Sequence, residues 1–165
     1  HVPRFSPLTS SVGRLFDGVS ALLGLCQVNT QPAEAARLLQ QLAETDTEQE
    51  GRYDHLVSLD SDGMYRLQWD PLLTHICQDL TAKVPVSAIA FAFHQWLATA
   101  MLVLARLQHS RDVIFCGGVF QNRLLQSIAQ TLLLDYGYNV HIPTRYPCHD
   151  GAIAVGQLYY QKLCV

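Results

Sequence analysis

The sequence predicts a helix-rich α/β domain in which helices and strands stack in layers. Two observations support this fold class: helical spacing of apolar residues over most of the chain, and a strand–helix–strand–helix order from Val113 to Leu163. The length of 165 residues, with 49% hydrophobic and 15% charged residues, is enough for a sizeable core. No repeat or low-complexity linker divides the chain, so we expect a single domain over residues 1–165.

The first elements are two helices. Ser10 or Ser11 is a suitable cap for a helix that ends near Gly24, and a second helix runs from Pro32 to about Glu44. Both have apolar residues at helical spacing, so each is expected to bury one face.

A hairpin and a third helix follow. Two strands, around Arg52–Leu59 and Met64–Gln68, are expected to pair through a turn at Ser61–Gly63. Asp70 is a suitable N-cap, with Pro71 at the first helical position of a helix to about Ala82.

The segment Val84–Ala105 contains no Asp, Glu, Lys or Arg. It is long enough to cross a bilayer core of about 30 Å. It also contains Pro85 and His94, and the rest of the chain has no comparable segment. We therefore expect a central helix over Val86–Leu107, buried in a soluble α/β domain and not in a membrane.

A strand–glycine–helix unit follows. Val113–Cys116 suits a buried strand, Gly117 and Gly118 end it, and apolar residues recur at helical spacing over Val119–Tyr136. Glycines before a helix expose backbone N–H groups that favour an anion, typically a phosphate. A purely structural turn is the alternative, because two glycines are a weak signal.

A second strand over Tyr138–Ile142 and a last helix over Asp150–Leu163 complete the unit. Ligands of α/β sheets gather at the carboxyl ends of strands, so the glycine turn and the loop before Asp150 are expected on one rim. Asp150 is the best single metal-ligand candidate, and a helix N-cap is its alternative role. Cys148 and His149 beside it cannot easily reach the same ion, because neighbouring side chains diverge.

The charge, the cysteines and the histidines of the sequence argue against several other functions. The net charge of −3, with no basic stripe, argues against nucleic acid as a partner. Five scattered cysteines without a CxxC pair indicate reduced thiols in a cytoplasmic protein. His94 is expected to be a hydrogen-bonded core residue, and Cys116 a small buried apolar one. No nucleophile motif is present, so the catalytic residues are unknown.

Three segments together resemble a known family. They are LTSSVGRLFDGVSALLGLC (Leu8–Cys26), VIFCGGVFQNRLLQ (Val113–Gln126) and HDGAIAVGQ (His149–Gln157), with FAFHQWLA (Phe91–Ala98) between them. In order and separation they resemble the C-terminal, Kae-type part of the HypF carbamoyltransferases, which mature nickel–iron hydrogenases. A more distant similarity is to the TsaD-type tRNA threonylcarbamoyltransferases, which fit these motifs less well.

The resemblance implies the second lobe of an actin-like, sugar-kinase-type ATPase fold, with an RNase H-like sheet and helices. It implies ATP or carbamoyl adenylate as ligand, and transfer of the carbamoyl group to the C-terminal cysteine of HypE for cyanide-ligand synthesis. HypE and upstream domains of the same protein are thus the expected partners.

The resemblance also implies roles for five residues. Asp17, Gly117, Gly118 and Asn122 would bind the nucleotide, and Asp150 would be a ligand of a divalent metal, iron or zinc.

The sequence departs from the family at two places. Pro32 and Ala33 stand where the family has an acid and a glycine that approaches the nucleotide, and His149 stands where it often has asparagine. The histidines that complete the family's metal site lie upstream of the resembling region. We therefore expect a fragment that holds metal poorly and is inactive alone. A non-catalytic nucleotide-binding or partner-docking module is the alternative.

Overall fold

The computed structural model describes residues 9–46, 53–54 and 56–164. The helices are α1 (Val12–Leu22), α2 (Glu34–Ala43), α3 (Asp70–Thr81), α4 (Val86–Arg106), α5 (Arg123–Asp135) and α6 (Ile153–Cys164). The strands are β1 (Leu56–Leu59), β2 (Tyr65–Gln68), β3 (Asp112–Ile114) and β4 (Asn139–His141). Short 3-10 turns cover Gly118–Gln121 and Asp150–Ala152. This is a helix-rich α/β arrangement, as the sequence predicts.

Helix α4 lies at the centre of the core. It packs against α2, α3 and α5, and most of its side chains are fully buried. Phe93 meets Phe16 of α1 edge to face, with ring centroids 4.9 Å apart. Helix α4 is long and apolar enough to cross a membrane, yet 67% of its most apolar window is buried inside the protein. The prediction of a buried central helix is confirmed.

The strands form two separate pairs within the described residues. β1 and β2 are antiparallel, with Leu59 opposite Tyr65, as expected for a hairpin. β3 and β4 are parallel, with Val113 opposite Val140. Both central valines pack toward the core, where α5 covers that face of the pair. The parallel pair therefore points its carboxyl ends, and the loops that follow them, in one direction.

The predicted helix beginnings need correction. Helix α2 begins at Glu34 and not at Pro32. The N-cap position of α3 is Trp69, and Asp70 is the first helical residue. The helix predicted from Val119 begins at Arg123 instead, because a 3-10 turn intervenes and Asn122 caps the helix. In all three cases the apolar periodicity located the helix body but not its first residue.

The end of α1 is predicted correctly. Gly24 has φ +75°, and the amides of Gly24 and Leu25 donate to the carbonyls of Ala21 and Ser20. This pair of bonds is the Schellman motif, which satisfies carbonyls at a helix end and favours glycine.

Candidate functional site

An open cleft of about 710 Å³ lies beyond the carboxyl ends of β3 and β4. Gly117 and Asp150 both line it. The rest of its lining comes from the segment after β3, the loop after β4, the turn at Asp150–Ala152 and α6: Cys116, Pro143, Arg145, Tyr146, Pro147, Cys148, His149, Ala152, Ile153, Val155, Gly156 and Tyr159. Cys116 is exposed, so the prediction of a small buried residue at this position is wrong. The expectation that the glycine turn and the loop before Asp150 share a rim is confirmed.

Gly117 connects the two loops of the cleft. Its N–H donates to the carbonyl of Cys148, and its carbonyl accepts from Phe120. Its φ of 103° and ψ of 158° lie in a region that only glycine adopts readily, so a side chain here would strain the turn. The amides left for an anion are those of Gly118 and Val119, since the first residues of a helical turn have no partner within it.

Asp150 is exposed at the start of its 3-10 turn. The turn is capped by His149, whose Nδ1 accepts from the Gly151 amide at 3.1 Å. The N-cap alternative for Asp150 is therefore wrong, and its carboxylate is not used to cap the turn. This leaves the Asp150 side chain on the cleft wall as a potential ligand.

Three polar or aromatic residues of the cleft lining are not among the predicted site residues. Arg145 places a cation on the lining, and Tyr146 and Tyr159 place aromatic rings there. A guanidinium suits a phosphate, and aromatic faces suit a nucleobase. Arg145 and Tyr146 lie in the loop that follows β4 (Asn139–His141), so their place in a loop at a strand's carboxyl end is the signal that could have found them.

Asn122 is almost completely buried and serves the chain itself. Its Oδ1 accepts from the Leu125 amide at 2.9 Å, and its Nδ2 lies 2.9 Å from His94 Nε2. His94 Nδ1 lies 2.8 Å from the carbonyl of Ala90. The carbonyl requires a proton on Nδ1, so Nε2 accepts from Asn122 and the imidazole is neutral. The prediction of His94 as a hydrogen-bonded core residue is confirmed.

Asp17 lies on α1, outside the lining of the cleft. Its Oδ1 accepts from Asn29 Nδ2 at 3.1 Å, and its Oδ2 lies 2.9 Å from Arg14 Nη2 in an ion pair. Asn29 Oδ1 in turn accepts from the Ala35 amide near the start of α2. Asp17 therefore links α1 to α2 through Asn29. Nucleotide binding by Asp17 or Asn122 stays a prediction.

Ala33 has an unusual backbone for its residue type. It has φ 56° and ψ 22°, in the left-handed region, directly before α2. The loop is fixed by Glu34, whose Oε2 accepts from the Thr30 amide and hydroxyl at 2.6 and 2.8 Å. These bonds lower the pKa of Glu34, because they stabilise its ionised form. An alanine thus occupies a position where glycine would be unstrained.

A complete metal site is not formed within the described part of the chain. It contains no group of three His, Cys, Asp or Glu side chains placed to hold an ion. The Asp150 carboxylate can supply one ligand, whereas His149 Nδ1 already accepts from a backbone amide. The residues present therefore do not fit a metal without ligands from elsewhere.

A second depression, of about 660 Å³, lies along α3. It is lined by Leu73, Thr74, Cys77, Gln78, Thr81 and Ala82. This lining has no charged side chain and no residue that the sequence singles out, so the cleft beside Asp150 is the candidate site.

The chain matches known proteins over nearly its whole length. Residues 4–157 match the family described as the carbamoyltransferase, Kae1-like domain, second subdomain. The carbamoyltransferase HypF of Synechocystis is 35% identical to this chain over 154 residues, which cover 93% of the chain. The carbamoyltransferase HypF of Rhodobacter capsulatus is 34% identical over 157 residues, which cover 92% of the chain. In both cases the chain spans 19% of the relative's length. The crystal structure of full-length HypF in its phosphate- and nucleotide-bound form matches with a TM-score of 0.81 and 32% identity, over 90% of this chain and 23% of that one.

Proposed function

This chain belongs to the HypF carbamoyltransferase family, as the second subdomain of the Kae1-like domain, and on that premise we propose that it forms one wall of a carbamoyl-transfer site. The observation that carries the proposal is that Gly117, Arg145 and Asp150 line a single cleft. In this proposal the cleft holds carbamoyl adenylate. The nucleotide and phosphate bound by the related full-length HypF support that ligand class.

Each group on the cleft wall has a chemical task. In this proposal the phosphate lies between the guanidinium of Arg145, which lines the cleft, and the amides of Gly118 and Val119, which follow the lining residue Gly117. The rings of Tyr146 and Tyr159 offer apolar faces to the adenine. These groups bind and orient the adenylate. Holding a reactant in the correct orientation lowers the barrier of a group transfer.

Asp150 would supply one ligand to a divalent metal, iron or zinc, and histidines of the first subdomain would supply the others. A metal held there would supply positive charge beside the substrate. This division of the site agrees with a two-lobed, actin-like fold in which the present chain is the second lobe.

The acceptor in this proposal is the thiolate of the C-terminal cysteine of HypE. Its sulfur forms a bond to the carbamoyl carbon, the bond from that carbon to the phosphate oxygen breaks, and AMP leaves. A thiolate is the reactive form of cysteine, so no additional nucleophile is required from this chain. This agrees with the lack of a nucleophile motif in the sequence.

The test uses a chimeric protein, the HypF graft, in which this chain replaces the matching segment of Synechocystis HypF. We expect the graft to carbamoylate the C-terminal cysteine of HypE, detected by mass spectrometry of HypE. Asp150→Asn should abolish the transfer and leave thermal stability unchanged, because the carboxylate is exposed. Asp135→Asn, an acidic residue at the end of α5, is the matched control. A graft whose Asp150→Asn variant transfers normally would remove the metal role from Asp150.

A further inference from the structure

Two free cysteines lie on the wall of the cleft. Cys116 follows β3, and Cys148 lies in the loop before Asp150. Both side chains line the cleft, whereas Cys26 and Cys77 lie outside its lining. Among the four cysteines whose side chains the structure describes, these two are therefore the pair that lines a common cavity.

A backbone hydrogen bond sets the two cysteines side by side. In the parallel pair β3–β4, the amide of Phe115 donates to the carbonyl of His141, and the residue before Phe115 is the pairing partner of His141. The amide of Gly117 donates in the same way to the carbonyl of Cys148, at 2.5 Å. By the same relationship the residue before Gly117, which is Cys116, lies opposite Cys148.

This placement fits the geometry of a disulfide. Paired strands lie about 5 Å apart, and a disulfide joins Cα atoms that are roughly 4.4–6.8 Å apart. The Cys148 thiol extends toward the other segment, because its Sγ lies 3.8 Å from the carbonyl oxygen of Gly117. Cys116 is exposed and Cys148 is partly buried, so an oxidant in solution meets Cys116 first.

We propose that Cys116 and Cys148 form a reversible dithiol–disulfide pair that reacts with a small disulfide such as oxidised glutathione. The Cys116 thiolate forms a bond to one glutathione sulfur, the disulfide bond of glutathione breaks, and one glutathione leaves. The Cys148 sulfur then forms a bond to the Cys116 sulfur, and the second glutathione leaves. The chain loses two electrons and two protons, and the oxidant becomes two glutathione thiols. The proposal rests on the geometry of the cleft wall and not on carbamoyl transfer.

Peptide mapping of the native chain tests the proposal. Trypsin cleaves after Lys and Arg, so it releases Cys116 within Asp112–Arg123 and Cys148 within Tyr146–Lys162. Each of the other three cysteines lies on a separate peptide, so every possible disulfide gives a linked pair of distinct mass. After treatment with oxidised glutathione, the Cys116–Cys148 pair in the monomer should exceed any other pair at least about tenfold, because a disulfide forms only between cysteines that are placed for it. Dithiothreitol should remove the linked pair.

Three substitutions separate the two steps of the reaction. Cys148→Ser should stop the reaction at a mixed disulfide between glutathione and Cys116. Cys116→Ser should react more slowly and give no linked pair. Cys77→Ser removes an exposed thiol on α3, and as the matched control it should leave the yield of the linked pair unchanged.

Oxidation of the chain in urea provides a control for the fold. Unfolding separates the two cysteines, so the preference for the Cys116–Cys148 pair should disappear. The same distribution of linked pairs in urea and in native buffer would overturn the proposal. Glutathione adducts on both cysteines without a linked pair would also overturn it, and so would a linked pair found only in covalent dimers.

Discussion

Asn122 and His94 form a hydrogen bond of 2.9 Å in the core, between the residue that caps α5 and the centre of α4. The bond places the end of the glycine turn at a fixed position against the central helix. Since Asn122 uses its oxygen for the cap and its nitrogen for His94, the whole amide serves to hold the cleft's glycine turn in place.

The burial of His94 predicts that the stability of the folded chain depends on pH. Burial lowers the pKa of His94 from 6.5 to about 4, and the hydrogen bond to the Ala90 carbonyl and the attraction of Glu44 only partly oppose this shift. The unfolded chain therefore binds more protons than the folded one between these pH values. The free energy of unfolding should fall as the pH falls through this window, by up to about 3 kcal/mol.

Urea unfolding of the wild type and of His94→Gln across this pH range measures the effect. The variant has no imidazole to titrate, so its stability should fall less steeply with decreasing pH. Identical slopes for the two proteins would show that His94 does not carry the pH dependence.

Ala33→Gly should stabilise the chain. A left-handed backbone costs an L-residue roughly 1–2 kcal/mol, while glycine loses about 0.4–1 kcal/mol through its more flexible unfolded state. At the midpoints of these ranges, the free energy of unfolding rises by about 0.8 kcal/mol. Ala36→Gly, inside α2, is the control and should destabilise. A loss of stability in Ala33→Gly would contradict the strained backbone at this position.

Gly118→Val should weaken nucleotide binding by the HypF graft while the turn stays folded. A Cβ at Gly118 meets no atom closer than 3.9 Å, so the first added carbon has room. The valine side chain blocks the approach of a phosphate to the turn. A tenfold loss of ATP affinity corresponds to about 1.4 kcal/mol of binding free energy. Calorimetric titration with ATP measures the affinity. Unchanged affinity with unchanged melting temperature would assign the turn a purely structural role.

Arg145→Gln should also weaken ATP binding by the graft, because it removes the charge-assisted bonds of a guanidinium to phosphate. The difference in ATP affinity between the wild type and this variant should be smaller at high salt, because salt screens the interaction between exposed charges. Arg37→Gln on α2 removes an exposed arginine outside the cleft lining and serves as the control. Equal affinities of the two variants would exclude Arg145 from the phosphate site.

Part of this site could be predicted from the sequence. The glycine turn and Asp150 each follow a strand of the same parallel pair, and that topology alone brings them to one edge. The burial of α4 follows from the absence of charged residues in the segment Val84–Ala105. These predictions depend on composition and chain order, which are visible without tertiary contacts.

Other features of the site could not be predicted from the residue pattern. Val119 and Phe120 continue the apolar spacing of α5, so the pattern concealed the 3-10 turn and the cap at Asn122. The cap of the last turn is His149, although aspartate is the commoner capping residue. Arg145 lies in a loop without periodicity, where it lines the cleft together with residues of α6.

The place of α4 in the chain has a consequence for synthesis. This helix leaves the ribosome before α5, one of the helices that cover it, so its apolar surface stays uncovered until the rest of the core has been made. Such intermediates aggregate by the same contacts that complete the fold. The yield of folded chain should therefore depend strongly on translation speed and on chaperones, even if the completed chain is stable.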